Sequence, residues 1–493
     1  MIRKTINCDY DTAIFPTDWR FSAAIIGLKK YFDYFKIPYS IKKVDSDNLW
    51  LDSSDDLWGF EGLFYNKEQI DKERYLLFVE NFYGNRFQHI DIMEKIKKEG
   101  ISTDEIKIIN DLMTGSKSNK VLKTKFKGIK FDGTNEEEIL DIITENKIEI
   151  IEKTFINKMD MYKNYANNNL FFTNENPHCR LKGFNLDENR KSKSVAYAFD
   201  KNAFISNDCI EFDFIPMAFS KSYTSVFVNN NFSIELLLKT YDDVNNALDK
   251  EIGNDVESTI LQLLANSAEY AMCDVEVIMK DRDQEYYTTV YIRQNSIAAM
   301  RKMKNVINQL KFKFEIGKNY WFDTQKEVTN ACINGIALDN VIEILLKKKE
   351  DKDVNRYYLE NVINKVIQFD LYMKGEGVME KNENKDVEKE TEEKKWTMER
   401  YLKNAIYCAR EIAEVLPENK IKSYRQKLIS AVVFHDYDRA CEILLQLSGF
   451  SGVSMPFAYK IYENPEKNKN IIYSFANGLD KNNVNNNKKT DKE

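Results

Sequence analysis

One short segment concentrates positive charge in a pattern that suits phosphate contact. KSNKVLKTKFKGIK, residues 117–130, holds six lysines and no acid, although the whole chain carries a formal net charge of −7. The apolar residues between the lysines are Val121, Leu122, Phe126 and Ile129. They can anchor the segment while the ammonium groups neutralise phosphates without reading base sequence. The predicted phosphate contacts are Lys117, Lys120, Lys123, Lys125, Lys127 and Lys130. A solvated lysine face is the alternative.

A second segment combines amide and basic side chains. In YANNNLFFTNENPHCRLKGFNLDENRKSKS, residues 165–194, asparagines surround two phenylalanines and basic residues follow. Amides suit base edges in a groove, while basic side chains hold the flanking phosphates. The predicted motif-reading residues are Asn167, Asn168, Asn169, Asn174 and Asn176, with Asn229, Asn230 and Asn231 from the similar run VNNNF. The predicted phosphate contacts are Arg180, Lys182, Arg190, Lys191 and Lys193. An asparagine-rich loop of purely compositional origin is the alternative.

No recognisable catalytic set accompanies these segments. The sequence lacks a Walker loop, a dinucleotide fingerprint, an HExxH motif and a GxSxG elbow. Acidic groupings such as Asp281 with Asp283 could hold magnesium for a nuclease, but no histidine lies near them in sequence. The seven cysteines and three histidines are scattered, which argues against a zinc site and a disulfide framework. We predict a protein with no catalytic residues, no metal and no cofactor. A metal-dependent nuclease is the alternative.

Length and composition indicate the class of protein that contains these segments. A chain of 493 residues exceeds what one hydrophobic core usually serves, and 43% apolar residues suffice for packed domains. The apolar runs are far shorter than the roughly 20 residues of a membrane span. The first residues lack the apolar core of a signal peptide. These features predict a cytoplasmic protein of two or more domains.

The sequence around these segments contains both helical and strand patterns. Pro16 and Asp18 mark the start of an amphipathic helix. A long helix is predicted over 136–162, and strands are predicted in the runs IEFDFIPMAF and SYTSVFV between residues 170 and 239. CDVEVIMK and YYTTVYIR form a predicted hairpin, and helices follow at 296–311 and 339–372.

The fold class predicted from these patterns is α+β, with antiparallel sheet elements in a large N-terminal body. The body spans residues 1–372, with two possible lobes at 1–162 and 163–372. Fourteen of the 22 residues in KGEGVMEKNENKDVEKETEEKK are charged, so a flexible linker is predicted over 373–396. A helical bundle is predicted over 397–480 and a disordered polar tail over 481–493.

Three stretches resemble the large subunit of type I CRISPR effector complexes, the Cascade complexes, especially the I-B-like branch. They are TDWRFSAAIIGLKKYFDYFKIPYSI near the start, NNNLFFTNENP in the middle and SYRQKLISAVVFHDYDRACEILLQLS in the bundle. The resemblance implies a subunit without catalytic activity that recognises a short motif flanking the target in double-stranded DNA. It also implies help in opening the duplex and recruitment of a helicase-nuclease. A stand-alone nucleic-acid-binding scaffold protein is the alternative.

The same resemblance implies a set of partners. They are a guide-RNA ribonucleoprotein with its backbone and guide-end-binding subunits, the double-stranded target DNA, the helicase-nuclease effector and a small subunit, with no membrane. In this family the small subunit can arise from a second translation start within the large-subunit gene. Met379 is the predicted start, because the codons for the preceding Lys-Gly-Glu-Gly can spell a ribosome-binding sequence. An ordinary linker is the alternative.

Overall fold

The fold combines helices with small antiparallel sheets, which confirms the predicted α+β class. The computed structural model describes the chain outside residues 6–7, 46–50, 52–56, 58, 99, 117, 174–179, 183–207, 222–223, 231–232, 251–273, 283–285, 319, 352–353, 376–395 and 481–493. The chain divides into two compact units. Unit 1 comprises Met1–Lys250 and Val275–Val290, and unit 2 comprises Glu251–Asp274 and Tyr291–Glu493. The predicted linker, bundle and lobe boundaries stay predictions.

Unit 1 holds two small sheets and most of the aromatic core. Its strands are β1 (Ile2–Lys4), β2 (Thr12–Ile14), β3 (Ser40–Lys43), β4 (Glu61–Tyr65), β5 (Thr224–Asn229) and β6 (Val275–Asp281). A seventh strand, β7 (Thr288–Ile292), begins in unit 1, and its last two residues are assigned to unit 2. The strand orders are β1-β2-β4-β3 and β5-β6-β7. The neighbouring positions of β6 and β7 agree with the predicted hairpin.

The helices of unit 1 come mainly from its first 165 residues. They are α1 (Trp19–Phe35), α2 (Lys72–Tyr83), α3 (Gln88–Ile96), α4 (Thr103–Met113), α5 (Lys120–Lys125), α6 (Glu136–Glu145), α7 (Lys147–Asn157), α8 (Tyr162–Tyr165) and α9 (Ile234–Lys250). Short 3₁₀ helices lie at Lys67–Gln69, Gly84–Arg86, Asn168–Leu170 and Ile210–Ala218.

The first helix begins where the sequence predicts. The Asp18 side chain accepts a hydrogen bond from the backbone N–H of Arg20 at 2.8 Å and so caps α1. The helix is largely buried and packs on the 3₁₀ helix Ile210–Ala218. Gly27 permits this approach, because a Cβ at that position would lie 2.2 Å from the carbonyl oxygen of Phe214. The centre of unit 1 is therefore a helix against a 3₁₀ helix.

Two secondary-structure predictions in unit 1 were wrong. The run IEFDFIPMAF forms a 3₁₀ helix rather than a strand, since Pro216 lacks the N–H that a strand ladder needs and buried Asp213 is held by side-chain partners. The helix predicted over 136–162 is broken at Asn146, whose side-chain Nδ2 donates to the carbonyl of Ile142 at 2.8 Å. The strand predicted in SYTSVFV, in contrast, is confirmed over the described residues of that run, which belong to β5.

Unit 2 is mainly helical. Its elements are α10 (Gln294–Ile307), a 3₁₀ helix (Asn308–Leu310), β8 (Lys313–Gly317), β9 (Tyr320–Asp323), α11 (Thr324–Asn334), α12 (Asp339–Lys348), α13 (Arg356–Met373), α14 (Met398–Val415), α15 (Glu418–Val433), α16 (Tyr437–Ser451), α17 (Ala458–Glu463) and α18 (Lys469–Gly478). The single helix predicted over 339–372 is thus two helices. The β8–β9 pair and α11 were not predicted.

A buried charged network joins the C-terminal helices to those before the predicted linker. The fully buried Nζ of Lys349 lies 3.2 Å from Glu360 Oε2 and donates to the backbone oxygen of Asn477 at 2.6 Å. Asn477 in turn donates to the backbone of Glu360 at 3.0 Å, and Arg410 reaches the Glu360 carboxylate at 2.6 Å. Helix α18 therefore packs on α13 as well as on α14.

Candidate nucleic-acid interface

The predicted lysine segment forms helix α5 and the turn after it. Asn119 caps the helix by accepting from the N–H of Leu122 at 2.9 Å. Leu122 and Phe126 are fully buried, and Val121 and Ile129 pack against the same small core. The predicted anchoring role of these apolar residues is confirmed. Buried apolar side chains thus anchor the segment, with Lys120, Lys123 and Lys125 on α5 and Lys127 and Lys130 after it.

The lysines of this segment differ in what they contact. Lys120, Lys123, Lys127 and Lys130 are exposed and make no ion pair within the described part of the chain. Lys125 is half-buried and its Nζ lies 2.6 Å from Glu149 Oε2. Lys117 lies outside the described residues. Four of the six predicted phosphate contacts are therefore exposed lysines with no ion pair among the described residues.

The first asparagine run, Asn167 to Asn169, lies in a short 3₁₀ turn, and its three side chains make different contacts. Asn167 accepts from the backbone N–H of Asn169 at 3.1 Å and caps the turn. Asn168 donates from Nδ2 to Asn157 Oδ1 at 3.3 Å. The amide of Asn169 is exposed and makes no hydrogen bond among the described residues. Of these three side chains, Asn169 is the one that remains open to a base edge.

Several other predicted site residues cannot be placed. Those that lie outside the described residues are Asn174, Asn176, Arg190, Lys191, Lys193 and Asn231, together with the predicted start Met379. Lys182 is half-buried and donates from Nζ to the carbonyl of Lys163 at 2.7 Å.

Arg180 does not fit its predicted role in phosphate contact. Its side chain is fully buried, and its Nε and Nη1 lie 3.0 Å from Asp208 Oδ1 and 2.5 Å from Asp213 Oδ2. A third donor, Nη2, reaches the carbonyl of Thr173 at 2.9 Å. Burial by itself disfavours the charged guanidinium, but the two carboxylates outweigh it and raise the pKa of Arg180. The guanidinium is a buried structural cation.

Asn229 and Asn230 likewise do not fit their predicted role in base reading. Both are buried. Asn229 donates to Glu276 Oε2 at 2.9 Å across the β5–β6 pair, and Asn230 donates to Thr240 Oγ1 at 2.6 Å. These amides hold a strand pair and the start of α9, so the asparagine run VNNNF is structural at the two positions that are described.

The structure adds basic residues that the sequence did not single out. Asn157, which contacts Asn168, is followed by Lys158, whose Nζ donates to the carbonyl of Arg86 at 2.7 Å. Arg86 donates from Nη2 to the carbonyl of Lys221. We call Arg86, Asn157, Lys158, Asn168 and Lys221 the Arg86 cluster. It connects the first asparagine run, through the chain neighbours Asn157 and Lys158, with the backbone of Arg86 and, through the Arg86 side chain, with the backbone of Lys221.

The Arg86 cluster is also joined to the start of the lysine segment. Gln88 lies two residues after Arg86, and its Oε1 accepts from the backbone N–H of Asn119 at 3.0 Å. Asn119 Nδ2 donates to Thr154 Oγ1 at 3.0 Å, one turn before Lys158. The two segments that the sequence singled out separately are thus connected through helix ends of unit 1.

The charges of the Arg86 cluster are partly compensated within unit 1. Asp160 lies 3.8 Å from Arg86 Nη1 and 3.6 Å from Lys158 Nζ, so it partly neutralises these two cations. Lys221 is exposed, and its Nζ donates to the carbonyl of Phe82 at 2.6 Å. Cationic side chains can position a phosphate backbone, and an exposed amide can contact a base edge. No local pattern could have revealed this cluster, because its members come from distant helix ends.

Comparison with known families identifies the chain. A family model described as CRISPR-associated protein Csx8 matches residues 10–258 and 242–479. The chain belongs to this family. The resemblance to CRISPR proteins is thereby confirmed at the level of a CRISPR-associated protein. No curated protein and no solved structure matches the chain.

The part of the chain that the structure describes holds neither a cluster of metal-ligating side chains nor a helix that could span a membrane. Among the described residues, no three or more histidine, cysteine, aspartate or glutamate side chains converge as a metal site. Within the same residues, no helix is long and apolar enough to cross a bilayer.

Proposed function

We propose that this Csx8-family protein is the large subunit of a type I, I-B-like CRISPR effector complex. In this proposal it recognises the short motif flanking the target in double-stranded DNA, helps to open the duplex and recruits the helicase-nuclease. It has no catalytic activity of its own. Family membership supports the CRISPR context, and the interface in unit 1 supports the role in DNA recognition.

The observation that carries the proposal is the link between exposed lysines and an open amide. Four exposed lysines of α5 and its turn make no ion pair among the described residues. Hydrogen bonds and chain neighbours within unit 1 connect their segment with the Arg86 cluster, which includes Asn168, the neighbour of the exposed Asn169. Phosphate contacts fix the register of a protein on DNA, and a small number of polar side chains can then read a short motif. Guide pairing supplies the remaining specificity in RNA-guided systems.

The proposed assembly explains why a protein with a net negative charge can inspect DNA. The positive charge is needed where the duplex lies, while partner subunits hold the guide RNA. The proposed partners are the guide-RNA ribonucleoprotein with its backbone and guide-end-binding subunits, the target duplex, the helicase-nuclease and the small subunit. The C-terminal helices, made separately from Met379, are proposed as the source of that small subunit.

The test is purification from the native host followed by DNA binding. A protein tagged at its C-terminus is expected to co-purify with a short RNA and several smaller proteins. The purified complex is expected to bind motif-bearing duplex more tightly than duplex without the motif. Recovery of the chain alone, with no RNA and no motif preference, would contradict the proposal.

A further inference from the structure

Phe172 has a backbone conformation that its own side chain disfavours. Its φ is 52°, in the left-handed region that is uncommon for residues with a Cβ and least expected for a bulky one. Among the described residues, Lys36 and His435 are the other non-glycine residues with positive φ, and each lies at the end of an α-helix, where this conformation is common. Phe172 follows only the short 3₁₀ helix Asn168–Leu170, so its conformation needs another cause.

The contacts around Phe172 hold this conformation in place. Its backbone N–H donates to Oδ2 of the fully buried Asp213 at 2.9 Å. Its half-buried ring has its centroid 5.5 Å from that of Tyr75. The carbonyl of the next residue, Thr173, accepts from Arg180 Nη2 at 2.9 Å. Backbone strain persists only where such surroundings outweigh the residue's own preference, and it is concentrated at active sites and ligand-binding sites.

The strained residue closes the turn that carries the open asparagine. At the start of the turn, Asn167 Oδ1 accepts from the backbone N–H of Asn169 at 3.1 Å. At its end, Thr173 donates to the carbonyl of Leu170 from its backbone N–H at 3.2 Å and from Oγ1 at 2.7 Å. The exposed Asn169 thus lies between two bonded ends of one short turn. A different φ at Phe172 would redirect this turn relative to Asp213.

We propose that Phe172 is a positioning residue: its left-handed backbone, held by Asp213, fixes the direction in which Asn169 presents its amide to a base edge. The inference rests on the proposed function for the ligand, which is the flanking motif of duplex DNA. A bidentate contact between an amide and a base needs a defined orientation, and a side chain that is oriented before binding loses less entropy on binding. The role belongs to the backbone of Phe172 rather than to its ring.

This role and a packing role predict opposite effects of substitution at position 172. Glycine adopts positive φ readily, whereas β-branched valine does not. If Phe172 only filled the core, valine would replace it better than glycine, because valine keeps more of the buried apolar surface. If the backbone conformation matters, Phe172→Gly must preserve the turn and Phe172→Val must disturb it.

The first arm of the experiment measures duplex binding by the assembled complex. Phe172→Gly is expected to keep the wild-type preference for motif-bearing over motif-free duplex. Phe172→Val is expected to reduce this preference by about tenfold, within the range of one good bidentate contact. Affinity for motif-free duplex is expected to be equal in the three proteins, because the phosphate contacts do not depend on the turn.

The second arm needs no DNA and uses the full-length protein. Hydrogen–deuterium exchange resolved to single residues follows the backbone amide at position 172. The bond to Asp213 is expected to slow this exchange in the wild type and in Phe172→Gly, and its loss is expected to make the exchange fast in Phe172→Val.

Two further changes keep the test decisive. Phe172→Ala replaces Phe172→Val if the valine variant does not fold; it differs from Phe172→Gly by the Cβ alone, and its motif preference is expected to lie below that of glycine. Phe35 is the control position, since it is a half-buried aromatic residue of α1 with ordinary helical backbone. At Phe35, valine is expected to destabilise the protein less than glycine.

The two arms separate failure of this proposal from failure of the proposed function. A motif preference higher in Phe172→Val than in Phe172→Gly, or equal exchange of the amide at position 172 in both, would overturn the proposal. A wild-type complex with no motif preference would remove the base-reading role together with the proposed function. The exchange result would then still show whether Asp213 holds the backbone of the turn.

Discussion

Asp213 holds Arg180 at 2.5 Å between Oδ2 and Nη1, and both side chains are fully buried in unit 1. The same carboxylate accepts from the Tyr162 hydroxyl at 2.5 Å and from the backbone N–H of Phe172 at 2.9 Å. Asp208 completes the arrangement, and burial raises its pKa to about 6 although Arg180 opposes the shift. These contacts tie the end of the first asparagine run to the 3₁₀ helix Ile210–Ala218.

Replacing Arg180 should therefore affect stability rather than DNA contact. Arg180→Met leaves two carboxylates buried without their cation, so we expect the free energy of unfolding of unit 1 to fall by about 3–5 kcal/mol. Urea denaturation followed by far-UV circular dichroism measures this loss. Lys163→Met, a change at a half-buried lysine of α8, serves as the control. A variant that unfolds at the same urea concentration as the wild type but binds DNA more weakly would show that Arg180 contacts DNA.

Asn169 should determine motif preference more than its neighbours do. Its amide is open, whereas Asn167 caps a turn and Asn229 is buried in a sheet. Asn169→Ala is expected to reduce the preference for motif-bearing over motif-free duplex by about 1–3 kcal/mol, the discrimination of one good bidentate contact. Competition binding of the assembled complex measures this ratio. Full motif preference in the variant would show that another residue reads the motif.

The exposed lysines of α5 and of the turn after it should act on every duplex alike. Lys123→Gln with Lys127→Gln removes two exposed charges that have no acidic partner among the residues that the structure describes, so affinity is expected to fall equally for motif-bearing and motif-free DNA. Lys125→Gln, in which the lost charge was paired with Glu149, should have a smaller effect. Electrophoretic mobility shifts at fixed salt concentration compare the three proteins. A change confined to motif-bearing DNA would contradict a backbone role.

A separately translated C-terminal product should be less stable than the same helices in the longer chain. Residues 379–493 lack Lys349 and Glu360, which bond Asn477 and Arg410 of the bundle. Thermal denaturation of fragments 379–493 and 291–493 compares the helices without and with these partners. We expect the shorter fragment to melt several degrees lower. Equal melting temperatures would show that the bundle does not need α12 and α13.

The sequence predicted those features that depend on residues close together along the chain. Asp18 caps α1, and the apolar residues of the lysine segment are anchored as expected. Each of these depends on residues within one or two helical turns. Capping and periodicity are visible in the sequence because they involve neighbours along the chain.

The burial of polar groups could not be predicted in this way. The sequence around Arg180 reads as a basic loop, yet its partner Asp213 lies in a run that reads as a strand. Arg86, Lys158 and Lys221 come from three separate parts of unit 1, so no spacing links them. Whether a cation is buried with a carboxylate or open to a ligand depends on the tertiary fold, and a single sequence does not contain that information in a local form.

The salt dependence of duplex binding tests the central claim most directly. Arg86→Gln with Lys158→Gln is compared with Lys107→Gln and Lys239→Gln, whose exposed lysines pair with acids one turn away in unit 1. We expect the slope of log affinity against log salt concentration to become shallower by about 0.9 per lost phosphate contact in the first variant only. Thermal melting confirms that both variants are folded. An unchanged slope and affinity in the folded Arg86 and Lys158 variant would contradict a DNA interface at the Arg86 cluster.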